Sequence, residues 1–347
     1  RRIISLLLLL ITPLVLGFHG LERRVRRDRG PCPSPCRCLG DLLDCSRRKL
    51  AVVPANLPEW VVQLDLSHNK LSSINPSSMN HLHNLRELFR TNNKIEVILP
   101  EHLKPYQSLE TLDLSNNLIT ELRAGSFPTL QLKYLYINNN RISTMQSGAF
   151  DNLSATLQVL KLNKNRISYI PSKMFKLSNL QHLELNRNRI KEILGLTFQG
   201  LDSLKSLRIQ RNLITRLMDG AFWGLSTMEI FLLLQNAISS ITPDAWEFCQ
   251  KLSELDLAFN QLTRLEESSF AGLGLLGGLY IGNNKINFIA DGAFRGLSSL
   301  NSLQSHASPC ETKGFLKFYL SFFINLIYLN TTSLLCDCQL KWLPKWL

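Results

Sequence analysis

The sequence predicts an α/β solenoid, a horseshoe of stacked repeats with a parallel β-sheet on its concave face. An asparagine recurs with gaps of 24, 24, 23, 25, 23, 24, 24, 24 and 24 residues. Apolar residues five and three positions before it alternate with a polar one, as in Leu112-Asp113-Leu114, which indicates a strand with one buried face. Because so short a strand cannot stand alone, neighbouring repeats must stack to build a continuous core.

The recurring asparagine defines about ten repeats of about 24 residues over residues 59–303. The clearest copy, LETLDLSNNLITEL at residues 109–122, fits L-x-x-L-x-L-x-x-N-x-I-x-x-L, the leucine-rich repeat signature. We expect each inward-facing amide to satisfy backbone groups in its own turn and in the next repeat. The asparagines are Asn69, Asn93, Asn117, Asn140, Asn165, Asn188, Asn212, Asn236, Asn260 and Asn284.

A second apolar site lies ten residues after most of these asparagines and is aromatic. Such large side chains can fill the convex side of the solenoid. They are Phe127, Phe150, Phe175, Phe198, Phe222, Trp246, Phe270 and Phe294.

The first 58 residues precede the repeats. Residues 1–20, RRIISLLLLLITPLVLGFHG, predict a secretory signal peptide, with an uncleaved signal anchor as the alternative. Residues 21–30 form a basic linker, or else a dibasic processing site. Residues 31–58 contain Cys32, Cys36, Cys38 and Cys45, which predict two disulfides and a cap over the first repeat. Zinc is the rival interpretation, and spacing alone leaves three disulfide connectivities open.

Two repeats depart from the pattern. Arg90 occupies an inward site where other repeats have Leu or Ile, so its side chain must snorkel or the repeat must distort. In the eighth repeat Ile230, Leu232 and Leu234 stand where outward strand residues belong. This predicts either an apolar contact site on the concave face or a local register error, and we favour the register error.

The pattern fades at the C-terminal end. An eleventh repeat begins near residue 298, but Ser308 replaces its asparagine, and residues 304–329 show no repeat spacing. Residues 330–347 look like the start of a C-terminal cap that is incomplete, which leaves Cys336 and Cys338 without their expected partners. Cys249 is expected to be a buried free thiol.

Composition and motifs argue against catalysis. The net charge of +12 suits acidic protein or glycan partners, and the aromatic–basic motifs of nucleic-acid modules are missing. The sequence has no Gly-rich phosphate loop, G-x-S-x-G or H-E-x-x-H motif. We therefore predict a protein that is not an enzyme and needs no cofactor or metal.

The concave face is the predicted binding surface. We expect Tyr134, Tyr136, Lys161, Arg187 and Arg208 to contact the partner, since Tyr and Arg are enriched at binding hot spots. Cations at the strand ends would stack into a basic ridge, although a merely solvated rim is the alternative. They are Arg141, Lys164, Arg166, Arg187, Arg189 and Arg211. Predicted N-glycosylation sites are Asn152 and Asn330.

Several segments, among them SLETLDLS, LQHLELNRN, LMDGAFWGLS, TPDAWEFCQKLSELDL and LLCDCQLKWLP, are long and specific. Together they resemble the leucine-rich repeats and immunoglobulin-like domains family of membrane glycoproteins over residues 31–303 and 329–347. The resemblance implies a repeat horseshoe, immunoglobulin domains, one membrane span and a cytoplasmic tail. It also implies the disulfides Cys32–Cys38 and Cys36–Cys45. The immunoglobulin, membrane and cytoplasmic parts are missing from this sequence, and the family array is longer.

The resemblance further implies modulation of growth-factor signalling through receptor tyrosine kinases and bone morphogenetic protein receptors. We therefore predict a non-enzymatic extracellular or cell-surface protein that binds receptor ectodomains, with membrane attachment only through a segment missing here. A matrix-type structural protein that binds collagen or sulfated glycans is the alternative. A third interpretation is an incomplete gene model.

Overall fold

A computed structural model of the chain describes residues 31–74, 77–304 and 327–328. It confirms the predicted leucine-rich repeat horseshoe, with about eleven turns that each add one strand to a single sheet. The predicted signal peptide (1–20), basic linker (21–30) and C-terminal cap (330–347) lie outside the described residues. Asn330, Cys336 and Cys338 lie there too.

Fourteen short strands form the main sheet. All pair in parallel except the first two, which form an antiparallel hairpin. In chain order the sheet contains β1 (Arg37–Leu39), β2 (Leu42–Asp44), β3 (Gln63–Asp65), β4 (Glu87–Phe89), β5 (Thr111–Asp113), β7 (Tyr134–Tyr136), β9 (Val159–Lys161), β10 (His182–Glu184), β11 (Ser206–Arg208), β13 (Ile230–Leu232), β15 (Glu254–Asp256), β17 (Gly278–Tyr280), β19 (Ser302–Gln304) and β20 (Ile327–Tyr328).

The opposite side of the solenoid is built from smaller pieces. Three parallel pairs join β6 (Glu121–Leu122) to β8 (Thr144–Met145), β12 (Arg216–Leu217) to β14 (Ser240–Ile241), and β16 (Arg264–Leu265) to β18 (Phe288–Ile289). Short 3-10 helices span Ser77–Met79, Pro100–His102 and Asp151–Leu153, and residues 31–74 and 77–304 contain no α-helix. Neighbouring strands lie about 4.8 Å apart, whereas packed α-helices need about 8–10 Å. Short strands and 3-10 helices on the opposite side therefore let successive repeats stack closely.

The core runs the length of the array. The middle residue of each repeat strand is buried and the sheet register aligns it with its neighbours, as in Leu64, Leu88 and Leu112. The predicted aromatic positions are buried too. Their rings stack between adjacent repeats, with centroids 5.6 Å apart for Phe127–Phe150 and 5.9 Å for Phe270–Phe294. Stacking adds about 0.5–1.5 kcal/mol per pair beyond area burial.

The asparagine ladder ties each repeat to the one before it. The side-chain nitrogen of Asn165 donates to its own turn at Leu162 O (3.1 Å) and to Ile137 O of the preceding repeat (2.9 Å). Its oxygen accepts from the Ile142 amide of that same preceding repeat. The other ladder asparagines are buried in the same way. The prediction that each asparagine bonds to the next repeat is therefore wrong. The turn that carries the asparagine lies against the preceding repeat, and the side chain bonds to that repeat instead.

The cysteine-rich segment forms the predicted cap. Disulfides join Cys32 to Cys38 and Cys36 to Cys45, the pairing implied by the family resemblance. They brace the β1–β2 hairpin, whose turn contains Gly40 at φ +62°, a backbone angle that glycine adopts without strain. Strand β2 then pairs in parallel with β3, so the hairpin covers the open end of the first repeat.

Arg90 neither snorkels nor distorts its repeat, contrary to both expectations. Its side chain is fully buried, and its backbone keeps the regular ladder bonds to Asn93 and Asn117. One guanidinium nitrogen donates to Ser73 O at 2.8 Å and another contacts the sulfur of Met79 at 3.0 Å. Met79 lies at the position that later repeats fill with phenylalanine, so the interior has room for a long side chain there.

Burial shifts the pKa values of two neighbouring side chains. It lowers the pKa of Arg90 to about 10 and raises the pKa of Tyr106 above its usual value. The Nε of Arg90 and the hydroxyl of Tyr106 have no hydrogen-bond partner in the described part of the chain.

The eighth repeat is in register, so the favoured register error is wrong. Ile230 aligns with Ser206 and Glu254, and Leu232 aligns with Arg208 and Asp256. The inward position holds Phe231, whose ring packs edge-on against Phe222 (4.8 Å) and Trp246 (6.3 Å).

Beyond the tenth repeat the array continues further than the sequence indicates. Strand β19 aligns Leu303 with Leu279, and Leu303 is buried. The backbone of β20 then pairs with β19, with Ile327 beside Leu303, 24 positions earlier. Residues 304–329 thus contain one further strand at the period of the array. Cys249 is a buried free cysteine, as predicted, and burial raises the pKa of its thiol to about 12.

Candidate functional site

The candidate site is the concave face of the main sheet. Each three-residue strand turns its middle residue inward and its first and third residues toward the concave surface, where they are at least partly exposed in most strands. Parallel register lines these outward residues up in columns. The chemistry of the concave surface is therefore determined by the first and third residues of each strand, which do not belong to the core.

The centre of this face is a contact between an aromatic ring and an ion pair. The Lys161 ammonium lies 5.6 Å from the centre of the Tyr136 ring and 3.2 Å from a carboxylate oxygen of Glu184. Asn163 donates to the other oxygen of Glu184 at 2.6 Å. Burial raises the pKa of Tyr136, and the nearby Asp113 carboxylate adds to the shift. Tyr136 and Lys161 are thus brought together as predicted, but Lys161 is already paired.

A second row of amides fixes the backbone beside this cluster. The side-chain oxygen of Asn138 accepts from the Asn163 amide at 3.0 Å, and that of Asn163 accepts from the Asn186 amide at 2.8 Å. Asn186 accepts in turn from the Gln210 amide at 2.8 Å. These bonds hold the ends of consecutive strands at fixed separations, so the backbone of the central surface is rigid.

Arg208 and His182 border the cluster on its C-terminal side. Arg208 is exposed and aligns with Glu184 of the neighbouring strand. Burial lowers the pKa of His182, and the positive charges of Arg208 and Lys205 lower it further. His182 is therefore largely neutral at pH 7. Tyr134 lies on the same face, in register with Val159.

An apolar strip follows directly. Ile230, Leu232 and Leu234 are half-buried and occupy the outward sites of the eighth repeat. Leu232 has Arg208 as its neighbour on one side and Asp256 on the other, and Ile230 lies between Ser206 and Glu254. Burial raises the pKa of Asp256, and the charge of Glu254 adds to this shift, although the Ala258 amide bond opposes it.

Arg187 lies elsewhere. It follows β10 by three residues, has a positive φ of 56° and is exposed at the edge of the sheet where the strands end. Of the predicted contact residues, Tyr134, Tyr136, Lys161 and Arg208 therefore share the sheet face, whereas Arg187 belongs to this edge. The predicted basic ridge also lies along the edge. On the sheet face the cations Lys161 and Arg208 are separated by Glu184.

Three further features of the described chain concern metal ligands, membrane-spanning helices and the predicted glycosylation site. Its side chains contain no group of three or more His, Cys, Asp or Glu suited to a metal ion. None of its helices has the length and apolar composition needed to cross a bilayer. Asn152 lies in the Asp151–Leu153 turn, and its Nδ2, the atom that would carry a glycan, donates to Phe127 O at 3.0 Å. A glycosylated amide keeps one N–H, so this bond and a glycan are compatible.

Sequence reasoning did not choose Glu184 and Asn163 among the contact residues, and it ranked the apolar strip as a contact site below the register error. Glu184 is signalled by its position one repeat after Lys161 in an outward column. The strip is signalled by the three apolar residues at alternating positions, which the register-error interpretation discarded.

The chain matches a family model described as "Leucine rich repeat" over residues 61–119, 107–156, 155–214, 202–262 and 250–304. Human leucine-rich repeats and immunoglobulin-like domains protein 3 is 50% identical over an alignment of 208 residues that covers 53% of this chain and 18% of that protein. Human protein 1 of the same name is 38% identical over 199 residues, again 18% of its length. Rat amphoterin-induced protein 3 is 39% identical over 82 residues, 24% of this chain and 16% of that protein. The predicted resemblance is confirmed, and the chain spans less than a fifth of these relatives.

Solved structures show the same architecture. A chain of the octameric complex of latrophilin 3, Unc5D and FLRT2 superposes with a TM-score of 0.70 at 26% identity, covering 85% of this chain and 90% of that one. The TLR13–ssRNA13 complex contributes a chain with a TM-score of 0.66 at 29% identity, covering 70% of this chain and 36% of that one.

Proposed function

This chain belongs to the leucine-rich repeat family, and we propose that it is a non-enzymatic extracellular protein-binding module that modulates growth-factor receptor signalling through ectodomain contacts. The partner class is the receptor tyrosine kinase ectodomain. The likeness to the leucine-rich repeats and immunoglobulin-like domains proteins and to amphoterin-induced protein 3 supports an interaction module of this kind.

One observation carries the proposal. The Tyr136–Lys161–Glu184 cluster and the apolar strip Ile230, Leu232 and Leu234 lie on one sheet, with Arg208 aligned to both. Aromatic, arginine and apolar side chains on a rigid surface are the composition of a binding hot spot, and surrounding polar groups supply specificity. The sheet is held by inter-strand bonds and the amide rows, so little side-chain order must be gained on binding.

The test is binding of the full chain to a panel of purified receptor tyrosine kinase ectodomains, measured by surface plasmon resonance. We expect at least one ectodomain to bind. Joint charge reversal at Lys161, Arg187 and Arg208 should weaken that binding at least about tenfold. Arg123→Glu, Arg216→Glu and Lys251→Glu on exposed sites elsewhere serve as the matched control. Unchanged binding by the charge-reversed chain overturns the site, and no binding to any ectodomain overturns the partner class.

The alternative is a matrix-type structural protein that binds collagen or sulfated glycans. The exposed cations along the strand-end edge favour it. Firm retention on a heparin column together with no ectodomain binding would select this alternative.

A further inference from the structure

The strand-end edge of repeats four to seven carries two columns of exposed cations. One column directly precedes the ladder asparagines, and the other directly follows them. We name these six residues the strand-end band: Lys164, Arg187 and Arg211 in the first column, and Arg141, Arg166 and Arg189 in the second.

The band is held in place by the repeat architecture. The Arg166 amide donates to Ile142 O and the Arg189 amide donates to Ile167 O, each at 2.8 Å and each to the preceding repeat. The Lys164 amide donates to Asn186 O of the following repeat at 2.8 Å. Because every column residue is bonded to its neighbouring repeat, the cations recur at about the strand spacing of 4.8 Å.

The charge of the band is not neutralised locally. None of its six residues takes part in an ion pair within the described chain. Neither column contains an Asp or Glu in any of the ten repeats. The nearest acidic residues along the chain are Glu184, three positions before Arg187, and Glu192, three positions after Arg189. The opposite edge differs, because there Arg86 and Lys133 both pair with Glu110, at 3.3 and 2.8 Å.

We propose that the strand-end band is a binding site for an extended sulfated polysaccharide. It is distinct from the sheet face that carries Tyr136, Lys161 and Leu232, and Arg187 lies in the band beside that face. A linear row of cations fits an extended polyanion that runs along the solenoid edge and meets one or two cations at each repeat. Five of the six residues are arginines, whose planar guanidinium groups bind oxyanions with paired hydrogen bonds. Clusters of this kind are typical of heparin-binding patches.

Two other polyanions fit less well. The band alternates with asparagines and apolar core residues and offers no row of aromatic rings on which nucleic-acid bases could stack. Anionic lipid is concentrated on the cytoplasmic leaflet, whereas the two disulfides of the cap are typical of an oxidising compartment. A sulfated glycan is the polyanion of that compartment.

The test uses the full chain and heparin as the probe, with titration calorimetry and elution from a heparin column. The band variant is Arg141→Glu, Arg166→Glu and Arg189→Glu. The matched control is Lys104→Glu, Lys205→Glu and Lys251→Glu, three exposed lysines outside the band that give the same change in net charge. Thermal unfolding of both variants establishes that they fold. We expect the band variant to bind heparin at least about tenfold more weakly and the control to stay within about threefold.

Equal weakening by the two variants would overturn the band, since attraction to net charge alone gives that result. Binding of poly-glutamate or of desulfated heparin as tightly as of heparin would overturn the sulfated-glycan assignment. A third variant, Leu232→Glu, separates this inference from the proposed function. It should retain heparin binding even where it loses ectodomain binding, and loss of both would contradict two separate sites.

Discussion

The second and eighth repeats break the same pattern in opposite directions. The second repeat places a charged side chain, Arg90, at an inward site, and the eighth places apolar side chains, such as Leu232, at outward sites. Neither change disturbs the register of the sheet. Arg90 is tolerated because Ser73 and Met79 receive its guanidinium, whereas Leu232 needs no such accommodation. Inward sites are therefore constrained by the fold, and outward sites are free to serve binding.

The largest expected effect comes from placing an arginine at the inward site of the third repeat, as Arg90 stands in the second. Leu114 is the inward counterpart of Arg90 in the third repeat, and Leu103, which carries no sulfur, occupies beside it the place that Met79 has beside Arg90. Leu114→Arg should lower the free energy of unfolding by about 4 kcal/mol or more, because its charge would be buried without an acceptor. Urea denaturation measures this. A loss below about 1 kcal/mol would show that any repeat accommodates an inward arginine.

The next effect concerns the inward residue of the eighth repeat. Phe231→Ala should cost about 3–5 kcal/mol in urea denaturation, since the ring packs against Phe222 and Trp246 and its loss leaves a cavity. Phe231→Leu restores the residue that most repeats have there and should cost less. If the two substitutions lower the free energy of unfolding equally, the aromatic contacts of Phe231 do not account for the loss.

A smaller effect of opposite sign is expected at Arg90 itself. Arg90→Met keeps a long side chain and removes a buried charge, which gains about 1–4 kcal/mol, but it leaves Ser73 O without its donor, which costs about 1–3. We expect a net gain of about 1 kcal/mol in chemical denaturation. A clear net loss would mean that the guanidinium stabilises the second repeat.

These comparisons show how far sequence reasoning reaches. The period, the strands, the aromatic row and the cap were predictable because each follows from spacing that one buried face imposes. The accommodation of Arg90 was not, because it depends on Met79 in the preceding repeat leaving room, a pairing across repeats. The Lys161–Glu184 pair also joins residues 23 positions apart. Sequence spacing indicates that they are neighbours, but it does not indicate that their charges cancel.

Leu232→Glu tests the outward side of the comparison. Because Leu232 is half-buried on the concave face and aligned with Asp256 and Arg208, its replacement should change the free energy of unfolding by about 0.5 kcal/mol at most. Binding to an ectodomain identified by resonance should fall at least about tenfold. Leu213→Glu, an exposed leucine at the sheet edge, is the control. Equal effects on binding would remove the strip from the site.

The smallest effect is pH-dependent and involves Asp256, the neighbour of Leu232. Burial raises the folded-state pKa of Asp256 above its unfolded value, so the folded state holds the proton more tightly. Its contribution to stability therefore increases as the pH falls through the folded pKa and is absent at pH 7. Asp256→Asn keeps an acceptor for the Ala258 amide and removes the buried charge. It should stabilise the chain slightly at pH 7 and not at pH 3, which lies below the unfolded-state pKa, as thermal unfolding at both values would show. Equal gains at both values would contradict the assignment.

The backward direction of the asparagine ladder gives the molecule a temporal polarity. Because Asn165 completes the hydrogen bonds of residues Ile137 and Ile142, a repeat is not finished by its own sequence but by the segment that follows it. During synthesis the disulfide cap emerges before the repeats, and each repeat can complete its hydrogen bonds only when the next asparagine has left the ribosome. At each stage of synthesis the most recently emerged repeat is therefore the one whose backbone hydrogen bonds are still incomplete.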